Sequence, residues 1–340
     1  MVGGTIICSI IVCAENIRPS KKGESKVEWY FIVLIVAGAV LLILGLGVRY
    51  ALKRAFLPKR MSGEDYYRGL EEGGRCYDPE RCRTLIDRML KLPLERVSIK
   101  SHDGLTLVGY YYEVKAGAPV EIFFHGFRGG WQRDFCGITE AAVELSHNIL
   151  FVDQRSHGES EGRVITYGIN ERRDAILWVN YIIERFGEGV EIVLVGASMG
   201  GATVLSAAGE KLPKNVKAII SDSGFTTPLD VMAFVCGGGR LGDVLVRFGA
   251  RAVARIFCGF NINETSAVRA VSGAEIPIML MHGRSDRIVP HDMAEELVRA
   301  NPNIRLESFD GADHIQSYLV DSDRSRAAYK DFLKKSGVKI

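Results

Sequence analysis

Glu191-Ile192-Val193-Leu194-Val195-Gly196-Ala197-Ser198-Met199-Gly200-Gly201-Ala202-Thr203 decides the fold. Residues 191–195 are a short, largely apolar run of the kind that forms a strand buried on both faces, whereas the residues after Ser198 carry apolar positions at helical spacing. Between the two elements stands G-x-S-x-G, with room for only a very tight turn. Side chains at its glycines would collide with the flanking strand and helix, so the chain needs residues without a Cβ there. Ser198 is left projecting from the bend, with a helix N-terminus beneath it that favours negative charge.

Working outward, further short apolar runs at 120–124, 149–152, 216–220, 276–281 and 304–309 predict strands. Helical spacing at 139–145, 172–186, 199–208, 293–300 and 324–333 fills the gaps. Alternation of this kind implies a mostly parallel central sheet with helices on both faces, an α/β fold whose reactive groups gather at the carboxyl ends of the strands. Runs at 97–99 and 105–112, joined through His102, Asp103 and Gly104, predict an antiparallel hairpin in front of it. A helix is expected over 81–92.

A serine hydroxyl needs a base. His314, in the loop after the last predicted strand, is the candidate, with His282 and His157 as rivals in other strand-end loops. His102, His147 and His291 are expected at the surface, and His125 as a loop brace. The acid that orients the imidazole should follow a strand between serine and histidine. Asp286 fits that place, and Asp222, one strand earlier, is the second candidate. Two N–H groups must meet the developing oxyanion, and those of Phe127 and Met199 are expected to do so.

With these residues named, the chain resembles the α/β-hydrolase superfamily through His125-Gly126, Asp153-Gln154-Arg155-Ser156-His157-Gly158, Gly196–Gly200, His282-Gly283-Arg284-Ser285-Asp286 and Asp313-His314. It is most similar to membrane-anchored bacterial members grouped with serine aminopeptidases and lipid esterases. That group usually carries glycine where Ser156 stands. The resemblance implies hydrolysis of an ester, thioester or peptide bond by Ser198, Asp286 and His314, without cofactor or metal. A catalytically silent binding protein on the same fold is the reading from another class.

Residues 29–48 carry no charge and could span a bilayer as one helix. A cleaved secretory signal is the other reading. Expected divisions are a tail over 1–28, a membrane helix over 29–48, a linker over 49–94 and a catalytic domain over 95–340, with a cap over about 223–274. Arg49, Lys53, Arg54, Lys59 and Arg60 follow the apolar stretch without an acid, whereas Arg18, Lys21, Lys22 and Lys26 precede it among three glutamates, so the catalytic body is expected in the cytoplasm.

In the cap, Gly237-Gly238-Gly239 separates two helical stretches and could act as a hinge. On the second, Arg240, Arg247, Arg251 and Arg255 share one stripe beside an apolar face of Leu241, Leu245, Phe248, Ala252 and Ile256. This pattern suits a solvated face over a core contact. It also suits arginines resting on anionic lipid, delivering acyl substrates to a pocket lined by Phe234, Phe248 and Phe257. A net charge of +2 over 340 residues, with no recognition motif, excludes a nucleic-acid partner. Seven cysteines without metal spacing read as scattered thiols, with a Cys76–Cys82 bridge as the alternative.

Overall fold

The computed structural model describes residues 24–61, 63–67 and 77–340. The N-terminal tail, the basic residues at 18, 21 and 22, and Cys76 with its possible bridge lie outside the described residues. Two compact units are present, one ending at Leu52 and one running from Lys53 to Ile340. Among the described residues the first holds helix α1 (Glu24–Ala51), longer than the sequence predicts. Its large apolar side chains between Trp29 and Leu46 are exposed, and the stretch Trp29–Phe56 is long and apolar enough to cross a membrane.

The second unit is built on eight strands in the order β1-β2-β4-β3-β5-β6-β7-β8. They are β1 (Glu95–Lys100), β2 (Thr106–Tyr112), β3 (Val120–Phe124), β4 (Asn148–Asp153), β5 (Ile192–Ala197), β6 (Val216–Asp222), β7 (Ile278–Gly283) and β8 (Arg305–Phe309). The hairpin β1–β2 pairs antiparallel, β2 joins β4 antiparallel, and every later pair is parallel. The predicted mostly parallel sheet is therefore present, each strand within about two residues of its expected place.

Because successive side chains on a strand point to opposite faces, each buried strand feeds two cores. Phe123, Phe151, Val195, Ile220 and Met281 pack on one face against α2 (Pro79–Met89), α3 (Trp131–Asp134), α4 (Thr139–Glu144), α11 (Ser317–Val320) and α12 (Ser322–Lys335). Leu150, Leu194, Ile219 and Leu280 pack on the other against α5 (Glu171–Phe186), α6 (Met199–Ala207) and α10 (His291–Ala300). His147 corrects one expectation, since it is wholly buried rather than at the surface, 2.7 Å from Glu121 Oε1 and 2.7 Å from Lys339 O. A buried carboxylate on β3 needs such a partner, which nothing in the local sequence around His147 announces.

Between β6 and β7 the chain forms α7 (Pro228–Cys236), α8 (Arg240–Ile256) and α9 (Ala267–Ser272). Gly238 and Gly239 make the break before α8 at φ 110° and 103°, a conformation open mainly to glycine.

Candidate active site

The sharp turn after β5 holds Ser198 at φ 53°, ψ −115°, a strained conformation that costs about 1–3 kcal/mol for a residue with a side chain. Surrounding structure enforces it. The Ser198 amide donates to Asp222 O at 2.8 Å, and a Cβ on Gly196 would lie 2.2 Å from Gly200 O. One on Gly200 would lie 1.7 Å from Phe124 O, so helix α6 can cross β3 this closely only with glycine there. The loop after β3 in turn packs against the serine, since a Cβ on Gly126 would lie 3.2 Å from Ser198 Cβ.

His314 lies in the loop after β8, and its Nδ1 is 2.8 Å from Asp286 Oδ2 in the loop after β7. Asp286 is 7% exposed, and its Oδ1 accepts from the amides of Ile288 at 2.9 Å and Val289 at 2.8 Å. Burial alone would push this carboxyl up. The His314 hydrogen bond and charge, with the two amides, outweigh burial and hold it below the usual carboxylate range. An ionised Asp286 makes Nδ1 the donor, which leaves Nε2 as an acceptor. Asp313 fixes the loop by accepting from the amides of Arg287 and His314 at 3.0 and 2.8 Å.

A chain of contacts joins the histidine loop to the serine turn. Ser223, next to Asp222, accepts from the Ile315 amide at 3.2 Å, and Asp222 O holds the Ser198 amide. Among the described residues no hydrogen bond reaches Ser198 Oγ or His314 Nε2, so the two loops are joined through Ser223 and Asp222 and not by a bond between serine and imidazole.

Asp222, the second acid candidate, is hydrogen-bonded to Ser223 Oγ at 3.2 Å and Ser317 Oγ at 3.4 Å, and makes no hydrogen bond to the imidazole. Burial raises its carboxyl to about 7, with the His314 charge opposing that rise.

The amides of Phe127 and Met199 meet no acceptor among the described residues. Sequence reasoning missed what holds their loop. Asp134 Oδ2 accepts from the Gly126 amide at 2.7 Å, and His157 Nε2 accepts from the Arg128 amide at 3.0 Å. His157 donates through Nδ1 to Arg155 O at 3.0 Å, and burial, with the nearby charges of His125 and Arg128, drives its pKa down to about 3. With both nitrogens occupied it is a brace and not a base. His282 is likewise buried and engaged, its Nε2 2.8 Å from Val289 O. The unusual Ser156 is accommodated at φ 67° with Oγ donating to Val164 O at 2.8 Å, so the loop keeps a glycine-like bend.

A cavity of about 610 Å³ opens beside the histidine. Ile86 of α2, Phe135, Ile138, Ile220, Met281 and Leu319 give it apolar lining, and His314, Asp222 and Arg287 are among its polar lining. It meets the serine turn through Gly196 and Ala197, without Ser198 in its wall. Phe234, Phe248 and Phe257 do not line it either. They are 50%, 72% and 55% exposed on the cap, so the pocket expected from them is not where the cavity lies.

A family model described as the alpha/beta hydrolase family matches residues 122–328. The chain belongs to that family. Among curated relatives, the uncharacterized protein YfhR of Salmonella typhi is 26% identical over 256 residues, covering 70% of this chain and 79% of the relative. An esterase of Pyrococcus furiosus, Pf2001, superimposes with a TM-score of 0.60 at 21% identity, over 82% of this chain and 98% of its own. A puromycin-hydrolyzing peptidase of Mycobacterium tuberculosis gives 0.54 at 17% identity, over 72% of this chain and 39% of that one. This α/β hydrolase thus shares its fold with both an esterase and a peptidase.

Proposed function

We propose that the chain is a serine hydrolase acting through an acyl-enzyme on carboxylic esters, including lipid-like ones. The observation that carries this is His314 Nδ1 at 2.8 Å from a buried, ionised Asp286, in the loop that reaches the strained Ser198 turn. In the reaction His314 Nε2 takes the hydroxyl proton as Ser198 Oγ bonds to the substrate carbonyl carbon. The carbonyl oxygen becomes an oxyanion received by the amides of Phe127 and Met199. Collapse breaks the bond to the leaving alcohol, which receives the proton from Nε2. Water then attacks the acyl carbon as it gives a proton to the same nitrogen, and Nε2 passes that proton to Ser198 Oγ as the bond from Oγ to the acyl carbon breaks and the acid leaves.

The apolar cavity beside His314 is the seat for the acyl chain, and its volume lies in the ordinary range for small-molecule sites. A thioesterase or aminopeptidase would use the same groups, and the peptidase among the structural neighbours keeps the second in view. Helix α1 anchors the chain in a membrane, with the body in the cytoplasm as the basic residues after the span suggest.

Labelling of the full chain with a fluorophosphonate, compared between the parent and Ser198→Ala, tests the reading. The parent takes the label and Ser198→Ala does not. Equal labelling of the two would refute the nucleophile, and short acyl esters offered beside aminoacyl amides divide esterase from peptidase.

A further inference from the structure

Helix α8 reverses the usual use of an amphipathic pattern. Its apolar face is turned outward, with Leu241 74%, Phe248 72% and Ile256 70% exposed, and Leu245 and Phe257 open beside them. Arg240, Arg251 and Arg255 run exposed along one edge of this strip. Arg247, the fourth arginine of the stripe, turns back to Asp230 at 2.8 Å. Exposed leucines and phenylalanines in a row are costly in water, at roughly 25 cal/mol per Å² of apolar surface.

The other end of the argument is the first stretch of the same unit. Residues 53–57 are tied to the oxyanion loop, since Arg128 donates to Lys53 O and, at 2.6 Å, to Leu57 O. Tyr167 donates to Ala55 O at 2.7 Å and stacks on Phe127, with ring centroids 5.2 Å apart. Buried Phe56 packs on Tyr167 and on Phe260, just past α8, with centroids 6.1 and 6.0 Å apart. This stretch follows the apolar helix α1 with one residue between them. At about 3.5 Å per residue, the chain has little reach with which to leave a bilayer that holds α1. Lys53 and Arg54, both exposed, put further positive charge at that point.

We propose that the exposed face of α8 docks on an anionic bilayer surface, leucines and phenylalanines in the headgroup layer and arginines on lipid phosphates, which holds the catalytic body at the surface that carries its lipid ester. The inference rests on the membrane and ester readings above and names where the substrate comes from. Apolar side chains flanked by arginines are the chemistry of an interfacial helix. The basic flank and the stitched 53–57 segment favour lipid over a second copy of this chain as the occupant.

The test uses the full chain in nanodiscs of phosphatidylcholine, with or without phosphatidylglycerol, the acyl chains being brominated. Leu245→Trp places an indole on the strip, and the parent supplies the background from Trp29. The added indole is quenched in the phosphatidylglycerol discs and about twofold less without anionic lipid. In unbrominated discs, Leu241→Asp with Leu245→Asp lowers turnover of a bilayer-borne ester about tenfold, while a soluble short ester is turned over at the parent rate. No quenching in anionic discs, equal quenching in both compositions, or an indole shielded only in cross-linked pairs of chains would overturn the proposal, as would an unchanged bilayer rate. Failure of the hydrolase reading looks different: neither ester is turned over by the parent, yet quenching is still measured.

Discussion

Replacing Asp222 by asparagine separates the two carboxyls that face His314. Asp222 has a folded pKa of about 7 against 3.8 for the free side chain, raised by burial. A raised carboxyl stabilises the fold fully only below about pH 3.8, where both states hold the proton. As pH climbs, the unfolded chain releases its proton first, and the contribution is lost progressively until the folded group ionises near 7. A shift of about 3 units corresponds to a ceiling of about 4 kcal/mol. Since the carboxyl lines the cavity, solvent returns part of that, and about 2 kcal/mol is the working figure. Asparagine does not titrate, so Asp222→Asn should gain about 2 kcal/mol on the parent between about pH 4 and about pH 8. Urea unfolding of detergent-solubilised full chain at both pH values measures this, and the parent-to-variant difference cancels titrations common to both. Turnover of a soluble ester supplies the second readout. Asp222→Asn should keep kcat within about tenfold, whereas Asp286→Asn, which upsets the tautomer of His314, should lower it about 10⁴-fold. Equal pH slopes for parent and Asp222→Asn, or the large kcat loss appearing in Asp222→Asn instead, would refute the assignment of roles.

Two further substitutions probe the backbone. Gly200→Ala drives a methyl to 1.7 Å from Phe124 O, a backbone atom that cannot swing aside, so a loss of about 4 kcal/mol or more and no fluorophosphonate labelling are expected. Circular dichroism and labelling check it, and a folded, labelled variant would mean the turn is looser than described. Ser156→Gly relieves a left-handed serine, worth about 1 kcal/mol, and loses the bond to Val164 O, worth about the same. Its melting temperature and kcat should both stay close to those of the parent, and a marked fall in either would show that Oγ does more than hold the bend.

The sheet was readable because central parallel strands are buried on both faces and therefore appear as unbroken apolar runs. Val120–Phe124 falls where it was expected to the residue. The places of Ser198 and His314 in the fold were readable for a different reason: a tight bend demands glycines at fixed offsets, and His314 follows the last predicted strand. Distance along the chain hid the rest. The cavity takes both Ile86 and Leu319 into its lining, and the loop after β3 depends on Asp134 and His157, whose pairing with backbone amides leaves no periodic trace.

Helix α8 marks where the periodic signal itself runs out. A 3.6-residue pattern says that one side of a helix avoids water, and a protein core or a lipid surface satisfies it equally. From the pattern alone the three cap phenylalanines could be placed over a pocket. In the folded chain only Val253 and Ala254 of α8 are buried, while the larger apolar side chains point away from the body. The helix thus keeps its contact with the body through small residues and leaves its large ones unspent. Had α8 been made for the core, Phe248 and Leu241 would be the side chains to bury, since they remove the most apolar surface from water. Their exposure, with arginines at the border, therefore says more about the surroundings in which the protein works than about how it holds itself together.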